Sequence, residues 1–354
     1  MAIQTYKELP IPAFYNAKNA SAWGFAPDPQ KTFEAAAAWR AKHGIEASGA
    51  QKANIHLLLI DVQRDFCFPE GALYVAGRSG TGAIDDTRRI AEFIYRNTAV
   101  IKDITTTLDT HFLFQIFFPS FWLRQDGTHP TPHTVVTTAM IKSGELAPNP
   151  AVAAWLCNGN LGFLKAQVQH YCEELEKAGK YTLYLWPFHC LAETPGHALA
   201  GLVAEARMFH NFVRSSQSYV EVKGGHPLTE NYSVLRPEVL TRYDGKALAQ
   251  KNVAFIKKLM TVDALIIAGQ ADSHCVASSI DDLLTEIVAQ DAALAEKVYV
   301  MTDCMSAVTV PDGKGGFVAD FTPQAEAAHK RFADAGMHLV QSTDPVASWP
   351  GIRL

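Results

Sequence analysis

From Ala53 onward short apolar runs alternate with longer amphipathic stretches, and this alternation restricts the fold more than any other feature of the chain. A strand, a helix and a second strand pack as a βαβ unit, and repetition of that unit builds a mostly parallel sheet with helices on both faces. Strands read at IHLLLID, KDITTTLDT, YTLYLW, SYVEVK, ALIIAG, KVYVMTD and MHLVQS. Helices read at AIDDTRRIAEFIYRNT, LGFLKAQVQHYCEELEKAG, GHALAGLVAEARMFHNFVRS, KALAQKNVAFIKKLM, CVASSIDDLLTEIVAQ and PQAEAAHKRFADAG. The expectation is an α/β protein of three layers, α/β/α, with one domain over residues 53–340 and no internal repeat.

Three segments fall outside that pattern. Residues 1–52 read as a peripheral N-terminal extension, a Pro- and Asn-rich arm followed by one Ala-rich helix, PQKTFEAAAAWRAKHG, closed by Gly44. Residues 341–354 read as a C-terminal tail. Residues 112–180 form a long insertion whose first part, including PSFWLRQDGTHPTPHT, lacks regular periodicity. Connections beyond about 15 residues without structure of their own are uncommon and often serve as lids or binding loops. A lid, a subunit contact and a plain surface excursion all remain open for it.

The 354 residues carry a net charge of −5 with no single-sign block, so nothing in the electrostatics favours nucleic acid or an anionic membrane as a partner. No apolar run approaches the roughly 18 residues of a membrane span, and MAIQTYKELPIPAFYNAKNA lacks the basic and apolar regions of a signal peptide. A cytoplasmic location is expected. Six cysteines without a CxxC pair fit reduced thiols better than a disulfide framework.

The chemistry centres on DALIIAGQADSHCVASSIDDLL, where an apolar strand turns through Gly269 into a helix starting near Cys275. A thiol at a helix N-terminus faces unpaired N–H groups and the positive end of the dipole, which favour thiolate. The same layout leaves backbone donors for an oxyanion. A lone cysteine there is more often one more small buried hydrophobe. Ligands of open α/β sheets sit beyond the carboxyl ends of the strands. There the chain offers Asp61 in LLLIDVQRDF, Asp109 and His111 in TLDTH, His189 in LWPFHC, Lys223 in VEVKGG, and Cys275. Each alone has a bland explanation as a turn cap or a solvated end. Five chemical strand ends on one edge point to a site.

IDVQRDF, DTH, WPFHC with ETPG, VKGG and GQADSHCV, in this order, resemble the nicotinamidase branch of the isochorismatase-like cysteine hydrolases over about residues 53–310. The resemblance implies a six-stranded parallel sheet of order 3-2-1-4-5-6 and a Cys275, Asp61, Lys223 triad. It also implies an oxyanion hole at Ala271 and Cys275, with a cis peptide between Gln270 and Ala271. The implied activity is release of ammonia from a small carboxamide through a cysteine thioester.

A metal site is implied at Asp109, His111 and His189, a donor set that suits zinc, with iron or manganese as alternatives. Where many members carry a further histidine, six residues beyond His111, this chain has Phe117, so a fourth protein ligand would have to come from His129 or His133. The histidines can equally be hydrogen-bonded with no ion between them. Phe66 and Trp186 fall where the family stacks its aromatic substrate, and Tyr232 is a candidate pocket wall. SHC departs from the family's usual residues before the cysteine. Two alternatives stand beside a metal-assisted amidase: a metal-free hydrolase of another amide or carbamoyl compound, and a non-catalytic oligomeric scaffold. The vinyl-ether chemistry of true isochorismatases is disfavoured, because the members with that activity lack this cysteine. The expected partner is a small-molecule amide, with homo-oligomers possible.

Overall fold

The computed structural model describes residue 6, residues 8–179 and residues 181–354. Residues 1–5 and 7 of the expected extension and residue 180 of the expected insertion lie outside the described residues. Six strands form one parallel sheet: β1 (Ile55–Ile60), β2 (Asp103–Asp109), β3 (Tyr219–Lys223), β4 (Ala264–Gly269), β5 (Val298–Met301) and β6 (His338–Val340). Their spatial order is 3-2-1-4-5-6, as expected. β1 and β4 lie at the centre, covered on both faces, and both are buried along their whole length.

Side chains alternate across the pleat, so β1 feeds two cores. Ile55, Leu57 and Leu59 face one layer, built by α1 (Pro29–His43), α2 (Gly82–Asn97) and, later in the chain, the helix Gly201–Arg214. Leu58 and Ile60 face the other, built by the helices Val253–Met260, Ala277–Gln290 and Thr322–Asp334. In chain order α3 is Leu161–Ala178, α4 is Gly201–Arg214, α5 is Val253–Met260, α6 is Ala277–Gln290 and α7 is Thr322–Asp334. α1 begins and ends where the sequence dictates. Asp28 accepts from the amides of Gln30 and Lys31, Pro29 opens the first turn, and Gly44 closes the helix in the left-handed region.

The segment expected to be peripheral is part of the core. Ala20, Ala36 and Ile45 are buried in the first cluster, and α1 packs on α4. The tail is also packed: Trp349 stacks on Phe93 and Tyr299 at centroid distances of 5.7 and 5.6 Å.

Two expected elements differ. YTLYLW is not a strand of the sheet, because Leu183, Leu185 and Trp186 bury into a third cluster and only Leu183–Tyr184 pairs, antiparallel to Val135–Val136. That third cluster is the core of the insertion, which holds Ile116, Phe118, Trp122, Leu164 and Tyr171 together. Short strands Trp122–Arg124 and Leu146–Pro148 and helix α3 frame it, so the stretch without periodicity is a small packed unit. KALAQKNVAFIKKLM is helical only over α5, because Asn252 accepts from the amide of Phe255 and fixes the start there. No described helix is long and apolar enough to cross a membrane.

Packing of the tail predicts that Trp349→Ala lowers unfolding free energy by about 3–5 kcal/mol, the usual loss for a buried aromatic. Urea unfolding of the full chain checks this; a midpoint equal to wild type would mean the tail contributes nothing.

Candidate active site

After β4 the chain passes a cis Gln270–Ala271 peptide, present as the resemblance implies, and winds through a wide helical turn, Asp272–Val276, into α6. The turn is held by Val276 N–H donating to the Ala271 carbonyl at 3.1 Å. Cys275 lies on it, 7% exposed. Because β1, β2 and β3 are neighbours and parallel, their carboxyl ends bring Asp61, Asp109 and Lys223 side by side, with Asp109 directly opposite Lys223 in register. Asp61 adopts φ 47°, turning the chain off β1, and Thr107 on β2 donates its hydroxyl to the Asp61 carboxylate.

The Lys223 ammonium is the common partner. Its Nζ lies 2.8 Å from Asp61 Oδ2, 3.0 Å from Asp109 Oδ1, 2.9 Å from the Asn231 carbonyl and 3.6 Å from Cys275 Sγ. Burial would lower the Lys223 pKa, but the two carboxylates outweigh it and hold the ammonium charged. Burial likewise opposes ionisation of Asp109, yet His111 and Lys223 hold it below the usual carboxylate range. Asp61 ends above that range: burial raises it, Asp109 adds to the rise, and Lys223 only partly offsets it. Lys223 thus stands between two carboxyl groups of opposite tendency, Asp109 held ionised and Asp61 pushed toward protonation, with the Cys275 sulfur beside it. Cys275 corrects one expectation. The helix start favours thiolate, but burial dominates and, with Asp61 and Asp109, pushes the thiol well above its ordinary value against the pull of Lys223. The resting group is a thiol.

Asp109 also faces two imidazoles, with Oδ2 2.9 Å from His111 Nε2 and 4.0 Å from His189 Nε2. His111 Nδ1 lies 3.1 Å from the Gly224 carbonyl and His189 Nδ1 lies 2.7 Å from that of Pro187. These carbonyls place each proton on Nδ1 and turn both Nε2 lone pairs toward Asp109, the orientation of metal-ligating histidines. Burial, with His111 nearby, lowers the His189 pKa to about 3, which keeps it neutral and ready to ligate. With its proton on Nδ1, His111 Nε2 meets Asp109 as acceptor against acceptor, a contact that a cation between them or a second proton on the ring relieves. The donor atoms of Asp109, His111 and His189 all lie within 4.8 Å of one another, so these residues fit a divalent ion. His129 and His133 do not join them; His129 bonds the Trp122 carbonyl and His133 the Tyr184 hydroxyl.

His189 arrives on a loop, not on the strand end that the sequence suggested. Asp65 sets that loop by accepting from the Cys190 amide at 2.6 Å, and Gly196 is required there because a Cβ would stand 2.2 Å from the Asp65 carboxylate. Gln63 clamps Asp109 by a reciprocal pair, Nε2 to its carbonyl at 2.8 Å and Oε1 from its amide at 2.7 Å. Gly224, at φ +84°, cannot be replaced without a Cβ 2.4 Å from Asp109 Oδ1.

The site opens on one cleft with about 490 Å³ of empty space, part of it open to solvent. Cys275, Ala271, Asp109, His111 and His189 line it with Phe66, Trp186 and Tyr232; Asp61 and Lys223 stand behind Cys275. Phe66 contacts the His189 ring at 5.6 Å, and Trp186 donates to the Tyr232 hydroxyl at 2.8 Å. Phe117, where a histidine was looked for, packs on His111 at 4.8 Å. Glu230, His274 and the aliphatic wall of Leu73, Val75 and Val308 were not singled out in the sequence. A Glu two residues before Tyr232 in ENYSVL carries no periodicity; only its proximity to VKGG could have drawn attention to it.

No protein-family model and no curated protein matches the chain. It is similar to a nicotinamidase/pyrazinamidase structure from Acinetobacter baumanii at 19% identity, over 83% of this chain and 99% of that one, with a TM-score of 0.47. The yeast nicotinamidase bound to the inhibitor nicotinaldehyde gives 17% identity, 81% and 99% coverage and a TM-score of 0.48. A pyrazinamidase of Pyrococcus horikoshii in complex with zinc gives 18%, 81% and 99%, and 0.41. These neighbours are members of the isochorismatase-like superfamily that the sequence motifs resemble. They are covered almost end to end, whereas part of this chain falls outside them.

The charges around Cys275 set the order of its reactivity in chelator-treated protein. Iodoacetamide alkylation of the Cys275 peptide should have its midpoint above that of a free cysteine. Lys223→Met, which removes a cation, should move it higher, and Asp61→Asn, which removes an anion, should move it lower. The pH dependence of alkylation in the three proteins checks this, and coincident profiles would refute the coupling.

Proposed function

We propose that this chain is a cysteine-dependent, nicotinamidase-like amide hydrolase that releases ammonia from a small aromatic carboxamide, with residues 53–340 as its catalytic domain. The observation that carries the reading is the single Lys223 ammonium within 3.0 Å of both Asp61 and Asp109 and 3.6 Å of Cys275 Sγ. A buried cation that joins a thiol to a carboxyl of raised pKa is an arrangement for moving one proton, not for holding a surface together.

In the reaction the Cys275 sulfur attacks the amide carbon while its proton passes to Asp61. The carbonyl π electrons move onto oxygen, and the resulting oxyanion is received by the backbone N–H groups of Ala271 and Cys275. Asp61, now a carboxylic acid, protonates the amide nitrogen, the C–N bond breaks, and ammonia leaves a thioester on Cys275. Water then attacks the thioester with Asp61 as base, and the sulfur recovers its proton as the carboxylic acid product departs. Lys223 keeps its proton throughout and supplies fixed positive charge beside sulfur and carboxylate. A divalent ion held by Asp109, His111 and His189, zinc first and iron or manganese next, would supply Lewis acidity and a coordination point for a ring nitrogen. Phe66 and Trp186 form the walls against which an aromatic ring would pack.

Ammonia release from nicotinamide and related carboxamides tests the proposal. Cys275→Ala is expected to abolish turnover while the circular dichroism spectrum and melting temperature stay those of wild type. Undiminished ammonia release by that variant would end the mechanism.

Binding and nucleophile formation are separate tasks, so chelation or His189→Ala should raise KM for a pyridine carboxamide several-fold more than it slows Cys275 alkylation. Equal losses in both measurements would mean that these residues serve the thiol instead.

A further inference from the structure

The reaction above gives no part to a buried hydrogen-bonded network that lies behind the turn carrying Ala271. Gln270, the residue before Ala271, is fully buried, and so is Asp86 on α2. Asp86 Oδ2 accepts from Gln270 Nε2 at 2.8 Å and from the Ser306 hydroxyl at 2.6 Å. Ser306 in turn grips the chain on both sides of Ala271. Its N–H donates to Gln270 Oε1 at 3.3 Å, and its carbonyl accepts from the Asp272 N–H at 2.8 Å. Because Oε1 receives an N–H and Nε2 meets a carboxylate, the Gln270 amide has one satisfied orientation; the reverse would set acceptor against acceptor. Arg89 Nη2 donates to Asp86 Oδ1 at 2.8 Å, so a cation balances the carboxylate. Burial pushes the Asp86 carboxyl up to about 6 against the pull of Ser306, Gln270 and Arg89, which leaves it mostly ionised at neutral pH and able to accept from all three. Apolar packing would fill the same space without burying a charge. What the hydrogen-bonded frame adds is a single orientation.

We propose that Asp86 is a positioning residue for the oxyanion: acting through Gln270 and Ser306, it holds the turn so that the Ala271 N–H meets the oxygen of the substrate amide as charge develops there. This rests on the hydrolase reading and adds a residue to it. Donors fixed before the reaction need no rearrangement while the oxyanion forms, which is the source of their effect. Asp86 does not line the cleft, so it acts only through the residues it holds and is not a catalytic residue.

The test uses the full chain with Asp86→Ala, which removes the acceptor, and Asp86→Asn, which keeps its shape. Turnover of nicotinamide should lose at least about 10-fold in kcat in Asp86→Ala and a smaller factor in Asp86→Asn, with KM within about twofold of wild type. Alkylation of Cys275 by iodoacetamide forms no oxyanion and should stay within about twofold of wild type, which a general loosening of the site would not allow. Gln270→Leu should reproduce the loss in kcat, and adding Asp86→Ala to it should cost little more, because both break one frame. Nicotinaldehyde probes the oxyanion position without turnover. The Cys275 sulfur adds to its carbonyl carbon, the π electrons move onto oxygen and the thiol proton ends there, whereas nicotinic acid binds without that bond. The ratio of Kd for the acid over Kd for the aldehyde, from calorimetry, should fall several-fold in Asp86→Ala. Thermal melting checks folding, and Asp86→Asn decides the matter if Asp86→Ala does not fold. An unchanged kcat, an equal loss in kcat and alkylation, or independent effects of the Asp86 and Gln270 substitutions overturns the proposal. Failure of the hydrolase reading looks different, since wild type then releases no ammonia. In that case the acid-to-aldehyde ratio still decides, and a wild type that binds no aldehyde overturns the proposal as well.

Discussion

A buried ammonium shared by two carboxylates is the interaction on which the site depends. A lone lysine at this depth would lose its proton, and a lone pair of carboxylates would not both ionise. Together they fix a charge pattern that neither could hold alone. Lys223 can serve both because β1, β2 and β3 end side by side on one edge of a parallel sheet. The glycine after it lets the chain turn away without touching Asp109. The order 3-2-1-4-5-6 puts β4, which leads to Cys275, next to β1, and the Lys223 cation two strands further on.

Much of this was legible in the sequence because it depends on short-range rules. Apolar runs and amphipathic periodicity place strands and helices, and residues just past a parallel strand must face the sheet's carboxyl edge. Asp61, Asp109, His111, Lys223 and Cys275 were found that way and are gathered as expected. What failed depends on long-range packing. YTLYLW has the composition of a strand, but its apolar residues belong to the insertion's own core. Residues 8–52 looked peripheral because an Ala-rich helix shows little amphipathicity, while its small side chains are what let it lie close against α4. The acidity expected of Cys275 came from the helix start alone; burial and two carboxylates beside it act more strongly.

The insertion has a consequence for the cleft as well as for the outline of the molecule. Trp186 belongs to the insertion's core and lines the cleft, and Phe117 does the same from the other end of that unit. The shape of the cleft is therefore set partly by a segment that carries none of Cys275, Asp61 and Lys223. Glu230 is tied to the same unit through Tyr171 on α3. Sequence change inside the insertion can alter what enters the cleft while Cys275, Asp61 and Lys223 keep their positions.

The central pairing of the sheet joins β1 near the start of the chain to β4, about two hundred residues further along. At the roughly 5–20 residues per second of ribosomal synthesis, IHLLLI emerges roughly 10 to 40 s before the strand that covers its edge. During that interval the most apolar strand of the protein has β2 on one side and nothing on the other. An open, hydrophobic strand edge is what chaperones bind and what pairs wrongly with other chains. The centre of the sheet is thus completed only when residues 264–269 arrive, a kinetic exposure that the finished sheet conceals.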